Sequence, residues 1–445
     1  MMNKKRLIPI ILVFVIVALL SLFFFLYKID FQNHQTSNLT SPTQAENKID
    51  KILKNDLPDK INREFLTWLQ EQYGEDNLNK VLNELKSNAY YDAIWHKIYQ
   101  NSLNVLIDRF NGEEDKNKRI KVLESTGETT TLSFIGDVSL ADNWYIMPKY
   151  DQRKKGIYGI LSEDIVNLLN QSEITIANNE FTISNNGEKL PNKYYTFKAT
   201  PERLKIYKEM SVDLVTLANN HIYDFGEVAF QDSLKSLEEN DIPYIGAGRN
   251  IEEATAPFYF IANGYKIAFL NATRAEKFIL TPEATETSGG VFRCYDPTLL
   301  IQQIEKVKQT SDFVVALIHW GKEDSDELET VQVDTAKQYI DAGADLIVGT
   351  HAHTLQGIDF YHDKAIIYNL GDFIFNNETK DTAIFQFSIN SEGNFQYKII
   401  PCQQKEEYTQ VLLSEEKTRV IQKLQKLSPN VVITENGNFY SRSTN

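Results

Sequence analysis

Hydrophobic positions follow three different patterns along this chain. From Leu7 to Tyr27 there is an unbroken run of 21 residues without a charged side chain. Between residues 47 and 117, apolar residues recur at spacings of three and four, as they do in amphipathic helices. After Gly127, short β-rich runs alternate with helical patterns. These patterns predict a membrane-spanning helix, a small helical module and an α/β domain.

The N-terminal run is long enough to cross a bilayer as one helix, because 21 helical residues span about 30 Å. Three basic residues, Lys4 to Arg6, precede it, and the positive-inside rule then keeps the N-terminus in the cytoplasm. A cleaved signal peptide has a shorter apolar core, and Lys28–Phe31 offers no small-residue cleavage site. We therefore expect residues 1–28 to be a retained signal-anchor of a single-pass cell-membrane protein. The main domain would be extracellular, and the lipid bilayer would be a partner.

The rest of the chain divides into four predicted segments. A linker rich in Ser, Thr, Asn and Gln occupies 29–46, and a module of three or four helices occupies 47–127. The α/β domain covers 128–404, and a helix with an extension covers 405–445. Thr382–Ile389 and Phe395–Ile400 are expected to form an antiparallel addition to that domain. The other strands predicted after residue 127 are Thr130–Ile135, Ile174–Ala177, Leu214–Leu217, Lys266–Leu270, Phe313–Ile318, Leu346–Val348 and Ala365–Tyr368.

The net charge and the number of cysteines limit the kinds of ligand and site that this protein can have. The formal net charge of −15 argues against a general nucleic-acid binder, which needs a basic surface. The two cysteines, Cys294 and Cys402, are too few for a disulfide scaffold, an iron–sulfur cluster or a zinc finger. Any metal must therefore be held by His, Asp, Glu or Asn. The spacing of the two cysteines does not show whether they form a disulfide.

Five predicted strands end in residues that can bind metal ions. The residues that follow them are Gly136–Asp137, Asn178–Asn179–Glu180, Asn219–Asn220–His221, His319–Trp320–Gly321 and His351–Ala352–His353. Ligands of open α/β sheets bind at the carboxyl ends of the strands, so these side chains are expected to meet at one rim. A mixed nitrogen and oxygen set of this size predicts one or two divalent ions, with Mn, Fe and Zn as candidates. If the His351–His353 segment is extended, both imidazoles share a face.

Each motif taken alone has a simpler interpretation. A Gly-Asp pair after a strand is common in turns, and an isolated His-x-His is weakly specific. Asp224 and Glu227 could form a capping box at a helix start. The coincidence of five such strand ends in one α/β block favours the metal site.

The order of these motifs resembles that of the CapA family of poly-γ-glutamate capsule biosynthesis proteins. The resemblance covers about residues 130–400 and rests on Gly136–Asp137–Val138, Asn178–Asn179–Glu180, the stretch from Asn219 to Gly226, His319 to Glu323, Gly343 to His353, and Tyr368 to Phe373. It implies a calcineurin-like metallophosphoesterase fold, a four-layer α/β/β/α sandwich. The metal ligands that it implies are Asp137, Glu180, Asn220, His319, His351 and His353. It also implies a catalytic His221, oriented by Asp224.

Three positions depart from the pattern that the resemblance implies. Ser139 stands where many metallophosphoesterases have a histidine, which leaves one metal position short of a ligand. Asp372 replaces the usual Asn of a Gly-Asn-Phe motif, and Asn179 replaces an apolar residue. We expect these last two changes to alter only supporting contacts.

The resemblance implies a role in making, exporting or attaching an anionic surface polymer, with poly-γ-glutamate as the first candidate. Metal-assisted hydrolysis or transfer is the chemistry expected, and other membrane proteins of a polymer synthesis complex are expected partners. Two alternatives stay open. The domain could be a general extracellular metallophosphoesterase, or a metal-binding scaffold without catalysis that docks through residues 47–117.

Overall fold

The structure is a computed structural model that describes residues 48–123, 129–276, 280–390 and 392–442. The predicted signal-anchor, Leu7 to Tyr27, and the linker up to residue 46 lie outside the described residues. Among the helices of the described ranges, none has the length and apolar character needed to cross a membrane.

The chain divides into two compact units between Ile94 and Trp95. In the first unit residues 48–52 are helical, followed by α1 (Arg63–Tyr73) and α2 (Glu75–Ser87). Gly74 alone links these two helices and has a φ of 84°, which glycine adopts at little cost. Both helices bury an apolar stripe at helical spacing, formed by Phe65, Leu66, Leu69, Leu78, Val81, Leu82 and Leu85.

The remaining helices begin with α3, which spans the boundary between the units. They are α3 (Ala93–Tyr99), α4 (Leu103–Asn111), α5 (Glu113–Lys116), α6 (Ile146–Arg153), α7 (Glu163–Asn170), α8 (Lys205–Glu209), α9 (Gly226–Glu239), α10 (Ile251–Thr255), α11 (Thr298–Lys308), α12 (Thr330–Asp341) and α13 (Ser414–Leu427). Two short 3₁₀ helices cover Gly156–Gly159 and Pro201–Leu204.

The strands all belong to the second unit. In chain order they are β1 (Ile120–Val122), β2 (Thr129–Val138), β3 (Ile174–Asn179), β4 (Thr182–Ile183), β5 (Lys198–Ala199), β6 (Leu214–Thr216), β7 (Tyr244–Ile245), β8 (Ala247–Gly248), β9 (Phe258–Ala262), β10 (Tyr265–Thr273), β11 (Gly290–Val291), β12 (Phe313–Trp320), β13 (Leu346–His351), β14 (Ile358–Tyr361), β15 (Lys364–Ile367), β16 (Asp372–Ile374), β17 (Lys380–Asn390), β18 (Phe395–Lys405), β19 (Tyr408–Val411), β20 (Val431–Ile433) and β21 (Asn438–Ser441).

Most of these strands form two large mixed sheets. The first has the order β20-β21-β18-β17-β2-β3-β6-β7, with β16 paired to β2 and β19 paired to β18. The second has the order β1-β9-β10-β12-β13-β15-β14. In the first sheet β2, β3, β6 and β7 run parallel, and in the second β10, β12, β13 and β15 do. Each sheet therefore has a parallel block whose strand ends can carry a site.

The two sheets pack face to face, with helices on their outer faces. β12 shows the layering, because Val315 and Leu317 join the core between the sheets while Val314 and Ile318 join the outer core that contains α11 and α12. On the other outer face, α7 and α9 pack over the first sheet. The order of layers is helix, sheet, sheet, helix, so the predicted α/β class is confirmed.

The C-terminal strands, which were expected to form an antiparallel addition to the domain, are part of its first sheet. β17 pairs antiparallel with both β2 and β18, so these strands lie inside the first sheet. The hairpin of β20 and β21 continues the same sheet beyond α13. At the other end, α4 of the predicted 47–127 module contacts the α/β part of the second unit. Ser102 Oγ donates to Asp312 Oδ2 at 2.6 Å, and Lys266 Nζ lies 2.6 Å from Asp108 Oδ2.

Cys294 and Cys402 are both buried and unpaired. Cys294 lies in the outer core beside the second sheet, and Cys402 lies in the outer core beside the first. Burial raises the pKa of each thiol to about 12, which favours the neutral form. The two thiols are therefore separate packing residues.

Candidate metal centre

The strand ends of both sheets deliver polar side chains to one buried place. Asp137 lies near the end of β2, and Glu180 directly follows β3. Asn220 and His221 come after β6 in the same sheet. In the other sheet, His319 lies near the end of β12 and His351 ends β13. All six side chains are buried, so the site lies inside the protein and not on an open rim.

Asp137 is positioned by an irregularity in β2. The pairing of β2 with β3 shifts register between Phe134 and Asp137. At this shift Gly136 approaches the backbone so closely that an added Cβ would lie 1.8 Å from the carbonyl oxygen of Gly371. The Asp137 amide donates to that same oxygen at 2.9 Å. Glycine is therefore required before Asp137, and the contact also brings β16, which begins at Asp372, beside β2.

Three overlapping groups of side chains could each hold a metal ion, since their ligand atoms lie within 4.8 Å of one another. The groups are Glu180 with His351 and His353, Asp137 with Glu180 and His319, and Asp137 with His353 and Asp372. Because they share Asp137, Glu180 and His353, the groups are adjacent positions of one centre.

Short distances connect the members of this centre. His319 Nε2 lies 2.9 Å from Asn220 Oδ1 and 3.6 Å from Glu180 Oε1. His353 Nδ1 lies 2.7 Å from Asp372 Oδ1 and 3.4 Å from Asp137 Oδ2.

Asn178 orients the two carboxylates. Its Nδ2 donates to Asp137 Oδ1 at 2.8 Å and to Glu180 Oε2 at 3.2 Å. Its own Oδ1 accepts from Thr216 and Asn219, so the amide is fixed on both sides. This is the kind of outer contact that holds metal ligands in place.

The residues fit a divalent cation. Glu180 Oε1 and His351 Nδ1 are buried, and neither has a hydrogen-bond partner within the described ranges. The carboxylates of Asp137, Glu180 and Asp372 are fully buried together. Because buried unpaired carboxylates are strongly unfavourable, such a cluster needs positive charge, and a cation bound between them would supply it.

The directions of the pKa shifts show that burial and close charges act strongly on the groups of this centre. Burial and the nearby Asp137 raise the pKa of Glu180 well above its usual value. Burial and the neighbouring imidazoles lower the pKa of His351 to about 3 and that of His319 well below its usual value. His353 differs: burial opposes its charge, but the Asp372 and Asp137 carboxylates raise its pKa well above the usual range. Neutral imidazole is the form that binds metal ions.

The His351–His353 segment is a turn and is not extended, so the two imidazoles do not meet through the alternation of a strand. His351 has a φ of 96° and His353 a φ of 52°, both in the left-handed region that non-glycine residues rarely adopt. The turn still brings the two rings to 6.0 Å from each other, and it puts the His351 ring 4.5 Å from that of His319. Strained backbone of this kind is concentrated at functional sites.

His221 lies beside the centre and pairs with Asp224. His221 Nδ1 is 2.8 Å from Asp224 Oδ2, which also accepts from the Phe197 amide at 2.7 Å. The other oxygen, Asp224 Oδ1, lies 2.8 Å from Lys193 Nζ. Helix α9 begins at Gly226 with no side-chain cap, so the capping-box alternative for Asp224 is wrong.

Aromatic side chains line the approach to the His221 side. The Phe197 ring lies 4.5 Å from the His221 ring, and the Phe375 ring lies 4.7 Å from that of His353. Trp144 packs on Phe197 at 4.9 Å, and Tyr195 reaches Trp144 from the exposed loop. The polar centre is therefore bordered by apolar rings that limit the access of water.

All eight side chains predicted for the site lie in this region. Sequence reasoning named Asn178 and Asp372 without assigning either a place in the site, and it missed Lys193. Asp372 was expected to alter only a supporting contact, but its carboxylate belongs to one of the three metal-capable groups. Among the residues that the structure describes, two other histidines lie outside the centre: His96 stacks on Tyr265, and His362 is exposed in a turn.

The fold and the site together define the class: an α/β protein whose two sheets join at a buried carboxylate and imidazole centre. Residues 131–377, more than half of the chain, match the family described as bacterial capsule synthesis protein PGA_cap. The chain belongs to this family, and the CapA resemblance of its motifs is confirmed.

Two relatives come from Bacillus. The chain is 35% identical over 236 residues to the capsule biosynthesis protein CapA of Bacillus anthracis, a match that covers 51% of this chain and 57% of that protein. It is 28% identical over 286 residues to the PGA biosynthesis protein CapA of Bacillus subtilis strain 168, covering 63% and 73%. The match thus spans little more than half the length of the first relative.

Proposed function

We propose that this protein is a membrane-anchored, extracellular member of its family that acts in the biosynthesis, export or attachment of poly-γ-glutamate or a similar anionic surface polymer. The observation that carries the capsule role is the family match over residues 131–377, and the pairing of His221 with Asp224 beside the buried centre supports catalysis. The names of the two relatives support the capsule, and the uncharged segment from Leu7 to Tyr27 supports the anchor.

The residues that would hold metal are Asp137, Glu180, Asn220, His319, His351 and His353. One or two divalent ions bound there would polarise a phosphoryl or acyl oxygen and lower the pKa of bound water. The four-layer order of helices and sheets, with the centre at the strand ends, is the arrangement that a metallophosphoesterase-type hydrolase would have. The fold therefore supports hydrolysis or group transfer as the reaction class.

His221 is the proposed general acid. As a general acid His221 would carry a proton on each ring nitrogen: Nδ1 donates to Asp224 Oδ2, and the proton on Nε2 would pass to the leaving group. The bond from the Phe197 amide to Asp224 holds the carboxylate in place during the proton transfer. The neighbouring rings of Phe197 and Phe375 keep the site poor in water, which strengthens these polar interactions.

A general extracellular metallophosphoesterase is the second candidate, because the His221–Asp224 pair and the centre contain nothing specific to a capsule polymer. A scaffold without catalysis is the third. A test of catalysis distinguishes the scaffold from the two enzyme candidates. The amount of surface polymer on cells distinguishes the capsule role from the general metallophosphoesterase.

His221→Ala in the full-length protein is expected to keep its metal and to lose about 10²–10⁴-fold in rate, the usual contribution of a general acid. His319→Ala is the matched comparison, because it removes an imidazole within the centre and is expected to lose metal and rate together. Metal content by elemental analysis, hydrolysis of a generic phosphodiester and surface polymer on cells are the three measurements.

Normal rate and normal surface polymer in a metal-replete His221→Ala protein would overturn the catalytic role and favour the scaffold. Loss of phosphodiesterase activity with unchanged surface polymer would favour the general esterase.

A further inference from the structure

We infer that Asp372 is itself a metal ligand, which supplies the position that Ser139 leaves short. This inference rests on the proposed metal-dependent function and concerns how this chain completes the centre. Asp372 is a member of the group that also contains Asp137 and His353. Its carboxylate is fully buried.

The strands that carry Asp372 and Asp137 are neighbours in the first sheet. β16 pairs in parallel with β2, so that Asp372 lies opposite Asp137. Asp372 Oδ1 lies 2.7 Å from His353 Nδ1, and Asp137 Oδ2 lies 3.4 Å from the same nitrogen. Two carboxylate oxygens and one imidazole nitrogen therefore converge on one point.

Ser139 has a short neutral hydroxyl in place of an imidazole, and a neutral hydroxyl is a weaker ligand for a divalent cation than an imidazole or a carboxylate. Its hydroxyl is buried without a hydrogen-bond partner among the described residues. The Ser139 amide donates to the carbonyl of Ile374 at 2.6 Å, which places the end of β16 against this segment. Strand β16, which brings Asp372 to the centre, therefore lies directly against Ser139.

The second oxygen of Asp372 is held from outside the centre. Asn376 Nδ2 donates to Oδ2 at 2.8 Å, and Lys380 Nζ lies 3.6 Å from it. This leaves Oδ1 directed at His353 and Asp137. A ligating carboxylate is commonly fixed in this way, with one oxygen on the metal and the other hydrogen-bonded.

The competing role for Asp372 is to orient His353 through its hydrogen bond alone. Asn would perform that role as well, because its Oδ1 also accepts a hydrogen bond from Nδ1. Ligation, in contrast, is strongly weakened when the negative charge is lost, since hard divalent cations prefer carboxylates to amides. Asp372→Asn therefore separates the two roles without changing the size of the side chain.

The test uses full-length protein in detergent, stripped with chelator and titrated with Mn²⁺ alone. Asp372→Asn is expected to bind one equivalent fewer than wild type, or to bind it at least about 100-fold more weakly than the wild-type protein. The double variant Ser139→His/Asp372→Asn is expected to regain this equivalent, because it returns a ligand two residues after Asp137. Asp363→Asn, at an exposed turn, is the control and should bind as wild type does.

Unchanged Mn²⁺ binding in Asp372→Asn would overturn the inference and leave the orienting role, while the proposed metal-dependent function would stand. A wild-type protein that binds no Mn²⁺ would overturn the metal centre and the inference together. Thermal unfolding of every variant identifies a loss of binding that comes from misfolding. If Asp372→Asn misfolds, the double variant Ser139→His/Asp372→Asn tests the inference in its place. Recovery of Mn²⁺ binding in that variant supports ligation by Asp372, and a folded double variant that does not bind Mn²⁺ overturns it.

Discussion

Lys193 is a buried cation between two acids. Its ammonium lies 2.8 Å from Asp224 Oδ1 and 3.2 Å from Glu276 Oε1, and it donates to the carbonyl of Asn220. The side chain is only 7% exposed. Lys193 thus connects the loop before β5 to the turn that carries His221, and it balances the charge that orients the imidazole.

Lys193→Met is expected to lower the free energy of unfolding by about 3–5 kcal/mol, because it leaves the buried Asp224 and the partly buried Glu276 without their shared cation. It should also reduce the rate of any catalysed reaction more than it weakens substrate binding. Urea unfolding and steady-state kinetics are the measurements. Lys189→Met, in the exposed part of the same loop, is the control.

Lys193→Arg should restore part of the stability, since it keeps the charge. A Lys193→Met protein as stable as the Lys189→Met control would show that the ion pairs contribute little.

At the residue scale, the sequence predicted the ligands that follow strands and missed those that depend on the tertiary fold. Asp137 and Glu180 could be predicted because they directly follow strongly apolar strands. Lys193 belongs to a polar loop whose position is set only by long-range contacts. Asp372 begins a strand, β16, that pairs with β2, and such pairing has no local signal in the sequence.

At the scale of the element, the shift of register in β2 decides where the first carboxylate lies. Gly136→Ala would force a methyl group onto the Gly371 carbonyl, from which the Cβ would be 1.8 Å away. We expect a loss of about 1–3 kcal/mol in the free energy of unfolding, the usual cost of overpacking, together with weaker metal binding because Asp137 moves.

The matched control is Gly159→Ala, where the nearest atom to an added Cβ is the Arg153 Cβ at 3.4 Å, an ordinary contact. That variant should stay within about 0.5 kcal/mol of wild type. Thermal unfolding and Mn²⁺ titration of both variants make the comparison. Equal stability of the two would mean that the β2 and β16 segments move apart at little cost.

The elements themselves were predictable where the hydrophobic pattern was strong. Thr130–Ile135 and Phe313–Ile318 were predicted, and both are strands that the structure extends at their ends, to Val138 and Trp320. The strand β9 and the hairpin of β20 and β21 were missed. Each of these strands pairs with its neighbour in the chain, and β9 and β21 also pair with the distant strands β1 and β18. The tertiary pairing overrides weak local preference.

At the scale of the whole molecule, the centre lies where two separate sheets meet. Each sheet alone would present only part of the ligand set, with Asp137, Glu180 and Asn220 from one and the histidines after β12 and β13 from the other. The packing of the sheets therefore assembles the site. This packing could not be predicted from periodicity, which indicates which face of a strand is buried but not against which sheet.

The whole-chain topology gives a further prediction. With the proposed signal-anchor at Leu7 to Tyr27, and Lys4 to Arg6 on its cytoplasmic side, protease added to intact protoplasts is expected to digest the α/β unit. Immunoblotting of the unit before and after protoplast lysis measures this. A cytoplasmic protein probed in the same sample should survive, and full protection of the α/β unit would contradict the proposed orientation.

At His351 and His353 the left-handed backbone costs stability, while the imidazoles of the same residues are proposed ligands of the centre. A glycine at either position would relax the backbone by about 1 kcal/mol but would delete an imidazole of the centre. Selection for heat resistance alone would therefore favour losing these histidines, and only the demand for their ligand atoms opposes it. An engineer who wishes to stabilise this protein should leave the turn as it is and work on surfaces distant from it.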